Sequence, residues 1–217
     1  MKRFGFTLAE VMLVVGLLGV VAALTIPNLY YDKMRKEYST KIKHFYSKMD
    51  NAVEQMQLDK GDFRDMKLPA NNRAAYEWYM ENIDPYMGHK YIKDPDSDRP
   101  FIYFKDGSRI TLYRGGCVDV NYNVDGDSRI FKVGRKYFFF LFCFDDNNRI
   151  NYFGDKNSFW GPYGVGIQGD NITRQDLIDR CSKETLDDEP DTNGKVWCSK
   201  LLQYDGWEFK RDYPAFH

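Results

Sequence analysis

Gly5-Phe6-Thr7-Leu8-Ala9-Glu10, followed by an almost uninterrupted apolar run from Val11 to Ile26, is the stretch that decides how this chain is built. Phe6 to Ile26 is 21 residues, which at about 1.5 Å per helical residue spans the ~30 Å hydrocarbon core of a bilayer. Lys2 and Arg3 place the preceding end on the cytoplasmic side. Glu10 is the one acid in the segment. A carboxylate at the bilayer centre costs roughly 2.5–3.5 kcal/mol, so such a group normally has a partner and a task. A cut between Gly5 and Phe6 would supply the partner: the new α-ammonium of Phe6 lies one helical turn from Glu10, or beside the Glu10 of a neighbouring copy.

Basic leader, Gly5, Phe6 and an acid four positions further on resemble the class III signal of type IV pilins and type II secretion pseudopilins. The resemblance covers about the first 30 residues. It implies that Met1–Gly5 is a leader, that a prepilin peptidase cuts Gly5-Phe6, that Phe6 is then N-methylated, and that Glu10 is the assembly carboxylate. Pro27 stands where these proteins often carry a helix-bending proline. A conventional secretory signal is the competing reading, with Val21-Ala22-Ala23 as its cleavage site, but it leaves Glu10 unexplained.

Beyond that stretch, composition narrows the choices. The chain has 217 residues and a net charge of −1, so no global field points to nucleic acid. About 150 residues remain for one head domain with a real core. Four cysteines, Cys117, Cys143, Cys181 and Cys198, all follow the apolar segment. An even count in a translocated domain favours two disulfides, and three pairings are open. Cys117 opens one predicted strand and Cys143 closes another, so antiparallel pairing would join them; a buried free cysteine is the alternative there. Cys181 and Cys198 fall on two short predicted helices, a more local closure that also resembles the C-terminal disulfide loop of many pilins. Zinc is disfavoured, because neither His89 nor His217 stands at ligand spacing from any cysteine.

From Asn28 to about Asp59, apolar residues at Tyr31, Met34, Tyr38, Ile42, Phe45, Met49, Ala52 or Val53, and Met56 keep helical period. The expected use is a stripe laid on the head, with a short coiled coil as the alternative. Lys60-Gly61-Asp62 ends it, and Arg73–Met80 predicts a second helix. Asp106-Gly107 predicts a hairpin between Phe101–Lys105 and Arg109–Tyr113. Strands are further expected at Cys117–Tyr122, Lys136–Phe144 and Arg149–Phe153, and short helices at Thr173–Leu186 and Lys195–Tyr204. The fold class is therefore α+β: a long N-terminal helix, half transmembrane and half amphipathic, packed on an antiparallel sheet head with short C-terminal helices. The segments are a leader at 1–5, a membrane and filament-core helix at 6–27, an amphipathic helix at 28–60 and the head at 61–217.

No catalytic set stands out, and the chain reads as a non-enzyme. Gly164-Val165-Gly166-Ile167-Gln168-Gly169 has dinucleotide-loop spacing, but Phe159–Tyr163 before it reads as loop rather than buried strand. His44, His89 and His217 read as surface or packing residues. Asp94, Asp96 and Asp98 alternate like the opening of a calcium loop, yet Arg99 and Lys105 stand where Gly and Glu are required. They remain candidate calcium ligands, with Asp125, Asp127, Asp145 and Asp146 offering similar oxygens; no other cofactor is expected. Asp187–Asp191 reads as an exposed acidic loop.

The resemblance implies a single-pass protein of the bacterial inner, cytoplasmic membrane with an extracytoplasmic head, later part of a periplasmic or cell-surface filament. Its implied partners are the membrane, the prepilin peptidase, other pilin or pseudopilin subunits, an assembly platform protein and an assembly ATPase. The alternative is a membrane-tethered adhesin or ligand-binding minor pilin, with Trp160, Tyr163, Trp197 and Trp207 as its contact surface.

Overall fold

The computed structural model describes residues 7–127, 132–164, 172–182 and 194–216. One helix, α1, runs Leu8–Lys60 and its assignment continues through Pro27. The chain divides into two compact units, Met1–Glu37 and Tyr38–His217, so the second half of α1 belongs to the same unit as the sheet.

In the first unit the apolar run is largely exposed. Leu8, Leu13, Leu17, Leu18 and Leu24 are all more than 60% exposed. A helix that is apolar all round needs cover from lipid or from other helices. By length and composition, α1 is the one helix among the described residues that is able to cross a membrane.

In the second unit the helical stripe is covered. Tyr38, Ile42, Phe45, Met49, Ala52, Val53 and Met56 are buried. Phe45 stacks on Tyr122 with ring centroids 4.1 Å apart and also meets Phe104, Phe140 and Trp160. The stripe is thus the core seam against the sheet, the use that its period favours over a coiled coil.

The sheet is a six-stranded antiparallel meander in sequence order: β1 Tyr91–Lys93, β2 Phe101–Tyr103, β3 Arg109–Arg114, β4 Val118–Asn123, β5 Tyr137–Phe142 and β6 Trp160–Pro162. Gly107 takes the left-handed conformation, φ +85°, that the β2–β3 turn requires. Register pairs Leu112 with Val120 and Val120 with Phe140, so these residues share the face toward α1. Thr111, Tyr113, Asp119, Asn121 and Phe139 lie on the opposite face. β5 lies between β4 and β6, and five of its six residues are buried. Two short helices, α2 Asn72–Asn82 and α3 Asp84–Met87, precede the sheet.

Two expectations from sequence are corrected and one strand is added. Arg149–Phe153 is helical, not a strand: α4 covers Asp146–Phe153. Asp145 caps it by accepting the Asn148 N–H at 2.9 Å, and Gly154 closes it at φ +83°. The Arg149 side chain is buried, donating to the carbonyls of Cys143 and Lys156 and pairing with Asp146. Trp160–Pro162, read as loop, is an edge strand, where a proline without an N–H is tolerated. Tyr91–Lys93 is a short edge strand that had no counterpart in the sequence reading.

Helices α5 (Arg174–Ser182) and α6 (Cys198–Tyr204) follow the sheet. Cys117 is bonded to Cys143 and Cys181 to Cys198, with Cα separations of 4.5 and 4.8 Å. Arg174 adds a tie from α5, donating to Asp205 at 2.6 Å and to Asp212 at 2.7 Å.

Candidate functional site

The site with the clearest chemistry is the start of α1. Leu8 is the first helical residue, so Thr7 is its N-cap and Glu10 its third residue. Thr-x-x-Glu at those positions is a capping box, and the side chains adopt it. The Thr7 backbone N–H and its hydroxyl both donate to Glu10 Oε2, each at 2.8 Å. The Glu10 N–H donates back to Thr7 Oγ1 at 3.3 Å. The carboxylate also sits at the positive end of the helix dipole.

The sequence reading missed this arrangement, although Thr7 three residues before Glu10 was its signal. The acid is therefore not bare, because its own N-cap engages one oxygen. Oε1 accepts no hydrogen bond among the described residues and is open to a second donor. Gly5 and Phe6 lie outside the described residues, as do residues 165–169 of the glycine-rich stretch, the acidic loop at 187–191 and His217.

The other candidates separate. Asp94, Asp96 and Asp98 are exposed and are not brought together. Asp98 accepts from Asn72 at 2.6 Å, and the Asp94 carbonyl closes a turn onto Ser97. Asp125 pairs with Lys136 at 2.6 Å, while Asp145 and Asp146 serve α4. Among the described residues no three His, Cys, Asp or Glu side chains converge to hold a metal, which corrects the calcium reading of Asp94, Asp96 and Asp98. His89 Nδ1 lies 2.8 Å from Asp84 Oδ2, and with His44 and Lys48 it lines a cavity of about 270 Å³ beside α1. Trp160, Trp197 and Trp207 are buried and Tyr163 is half-buried, so they form no exposed aromatic surface for an adhesin.

Type II secretion system core protein G of Vibrio cholerae is 36% identical to this chain over 118 residues, 51% of this chain and 77% of that protein. The Escherichia coli K12 protein of the same name is 34% identical over 93 residues, 43% of this chain and 60% of its own length. The Aeromonas hydrophila one is 32% identical over 62 residues, 29% and 43% respectively. The chain thus spans less than two thirds of the latter two relatives. No solved structure matches it significantly. A family model described as a family of unknown function, DUF6613, matches residues 28–216. With nearly the whole chain after the apolar run matched, and most of the Vibrio protein spanned, the chain belongs to the family of unknown function DUF6613 and is a homologue of type II secretion core protein G.

Proposed function

We propose that this protein is a pseudopilin-like subunit of a type II secretion-type filament. The apolar half of α1 holds the precursor in the cytoplasmic membrane with an extracytoplasmic head. A prepilin peptidase cuts Gly5-Phe6, and Phe6 is N-methylated. Polymerisation then proceeds through α1, with other subunits, a platform protein and an assembly ATPase as partners. The chain has no catalytic role of its own in this reading.

The observation that carries it is an exposed apolar helix with a single acid, held in a capping box, at its head. The exposed flanks need lipid or neighbouring helices. Thr7 engages Oε2 only, so the Phe6 ammonium of a neighbour pairs with Glu10 without dismantling the cap. A charge pair of that kind fixes the axial register between subunits.

Glu10→Ala and Glu10→Gln test this in the native host. Glutamine also serves at the third position of a capping box, so it keeps the cap and removes the charge. Both variants are expected to insert and be cleaved, and both to lose filament yield at least tenfold. Wild-type yield from Glu10→Gln would mean that the side chain is a helix cap and nothing more.

A further inference from the structure

On the sheet face turned away from α1, a pocket of about 330 Å³ opens over β3, β4 and β5. That is the lower end of the size range of small-ligand sites. Its floor is Asp119 and Asn121 of β4; Tyr113 stands directly opposite Asp119, and Phe139 directly opposite Asn121. Tyr152 of α4 and Tyr163 after β6 complete the wall, edge to face with centroids 5.5 Å apart. Both pack on the Cys117–Cys143 bridge, so the wall is stapled to the sheet.

Asp119 and Asn121 lie beside Tyr113, Tyr152 and Tyr163, whose hydroxyls both donate and accept. Among the described residues no hydrogen bond or ion pair reaches the Asp119 carboxylate, and burial alone pushes it up to about 7. Among the described residues, Asn121 Oδ1 and the neighbouring Thr111 hydroxyl are buried without a hydrogen-bond partner. Buried polar atoms normally have partners, and buried charges are paired or neutralised. An anionic ligand would set its charge against the Asp119 carboxylate. A neutral polyol would supply donors but leave the carboxylate charge uncompensated. An ammonium supplies three donors and the charge, and the rings offer it π faces. The protein already uses one ring this way: the exposed Arg99 guanidinium lies 5.7 Å from the Tyr113 centroid, at the rim.

We propose that this pocket binds an alkylammonium group, with Asp119 as its counter-ion, Asn121 as a second acceptor and Tyr113, Phe139, Tyr152 and Tyr163 as the surrounding cage. The group comes either from a lysine side chain or from a free aliphatic amine. This inference does not depend on the filament reading.

Binding requires the ionised carboxylate, so affinity rises with pH. The titratable or charged groups facing Asp119 are Tyr113, Tyr152, Tyr163 and Arg99. Burial raises Tyr152 and takes Tyr163 to about 12. With the carboxyl near 7, its ionised fraction grows about 30-fold between pH 5.5 and pH 8, and apparent affinity follows that fraction.

Calorimetric titration of the full chain in nonionic detergent and phosphate buffer tests this. The probes are Nα-acetyl-lysine methylamide and cadaverine, with the Nε-acetylated peptide analogue as the neutral control. The expected result is binding at pH 8, an approximately 30-fold loss at pH 5.5, and no binding of the control. Asp119→Asn, which removes a buried charge and keeps the shape, should abolish binding with the near-ultraviolet circular dichroism unchanged. Tyr152→Leu should weaken it at least fivefold. A preference between the two probes identifies the source of the ammonium. The proposal is overturned if neither probe binds at millimolar concentration, or if Asp119→Asn or the acetylated analogue binds as well as its counterpart. Binding of a neutral disaccharide with no pH dependence, in place of the amines, would also overturn it.

Discussion

Asp119 makes the sheet's outer face a source of pH-dependent instability whose size follows from the structure. Burial raises its carboxyl from 3.8 to about 7, and among the described residues no ion pair reaches it. Between those values the folded chain binds more protons than the unfolded one, so stability falls as pH rises. The sign is opposite to that of a salt-bridged aspartate, whose contribution is lost in acid. Integrated from pH 5 to pH 8.5, the loss is roughly 3 kcal/mol, since one pKa unit corresponds to about 1.4 kcal/mol. For a domain of this size that moves Tm by roughly 6–12 °C. Asp119→Asn removes the effect, because the amide fits the same space and does not ionise. The assay is thermal unfolding of the full chain in detergent, followed by near-ultraviolet circular dichroism, for wild type and variant at both pH values. Relative to the Asp119→Asn variant, the wild-type Tm should fall by several degrees from pH 5 to pH 8.5. Parallel curves would show that water or a neighbouring group solvates this carboxylate, and the pocket argument would lose its floor.

Two further substitutions probe the packing. Phe45→Ala removes the ring that stacks on Tyr122 and touches Phe104, Phe140 and Trp160, and it should cost about 3–5 kcal/mol in denaturant unfolding. A loss under about 1 kcal/mol would mean that α1 is not the seam of the core. The double variant Cys181→Ser/Cys198→Ser opens a loop of 17 residues, worth on the order of 3 kcal/mol by chain entropy. An unchanged unfolding midpoint would show that the Arg174 ties to Asp205 and Asp212 hold α5 in place without the bridge.

The parts of the fold that were readable beforehand are those with long periodic signals. The stripe from Tyr38 to Met56 repeats often enough that its burial follows from spacing alone, and Asp106-Gly107 marks its hairpin by turn chemistry. Helix α4 was missed because Arg149-Ile150-Asn151-Tyr152-Phe153 alternates polar and apolar residues as a strand does. Its helical signals lay at its ends, in the Asp145 cap and in Gly154. Residues Trp160–Pro162 looked like loop because glycine and proline weaken strand propensity, and only pairing with β5 overrides that. The pocket was illegible for a related reason. Asp119 and Asn121 alternate outward from β4 as solvent-facing residues would, and they are enclosed only because Tyr152 and Tyr163 return from distant parts of the chain. At the amino terminus, Glu10 stood out by its charge in an apolar run, while the role of Thr7 emerged only with the hydrogen bonds between them.

The central claim is that the helix carrying Glu10 begins, in the mature protein, at a new ammonium able to meet it. Intact-mass and N-terminal peptide analysis of the protein from its native host measures this directly. The account requires a chain starting at Phe6 and one methyl group heavier than the unmodified sequence. A chain starting at Leu24, the product of a conventional signal peptidase, would remove both Glu10 and the apolar helix and contradict the account.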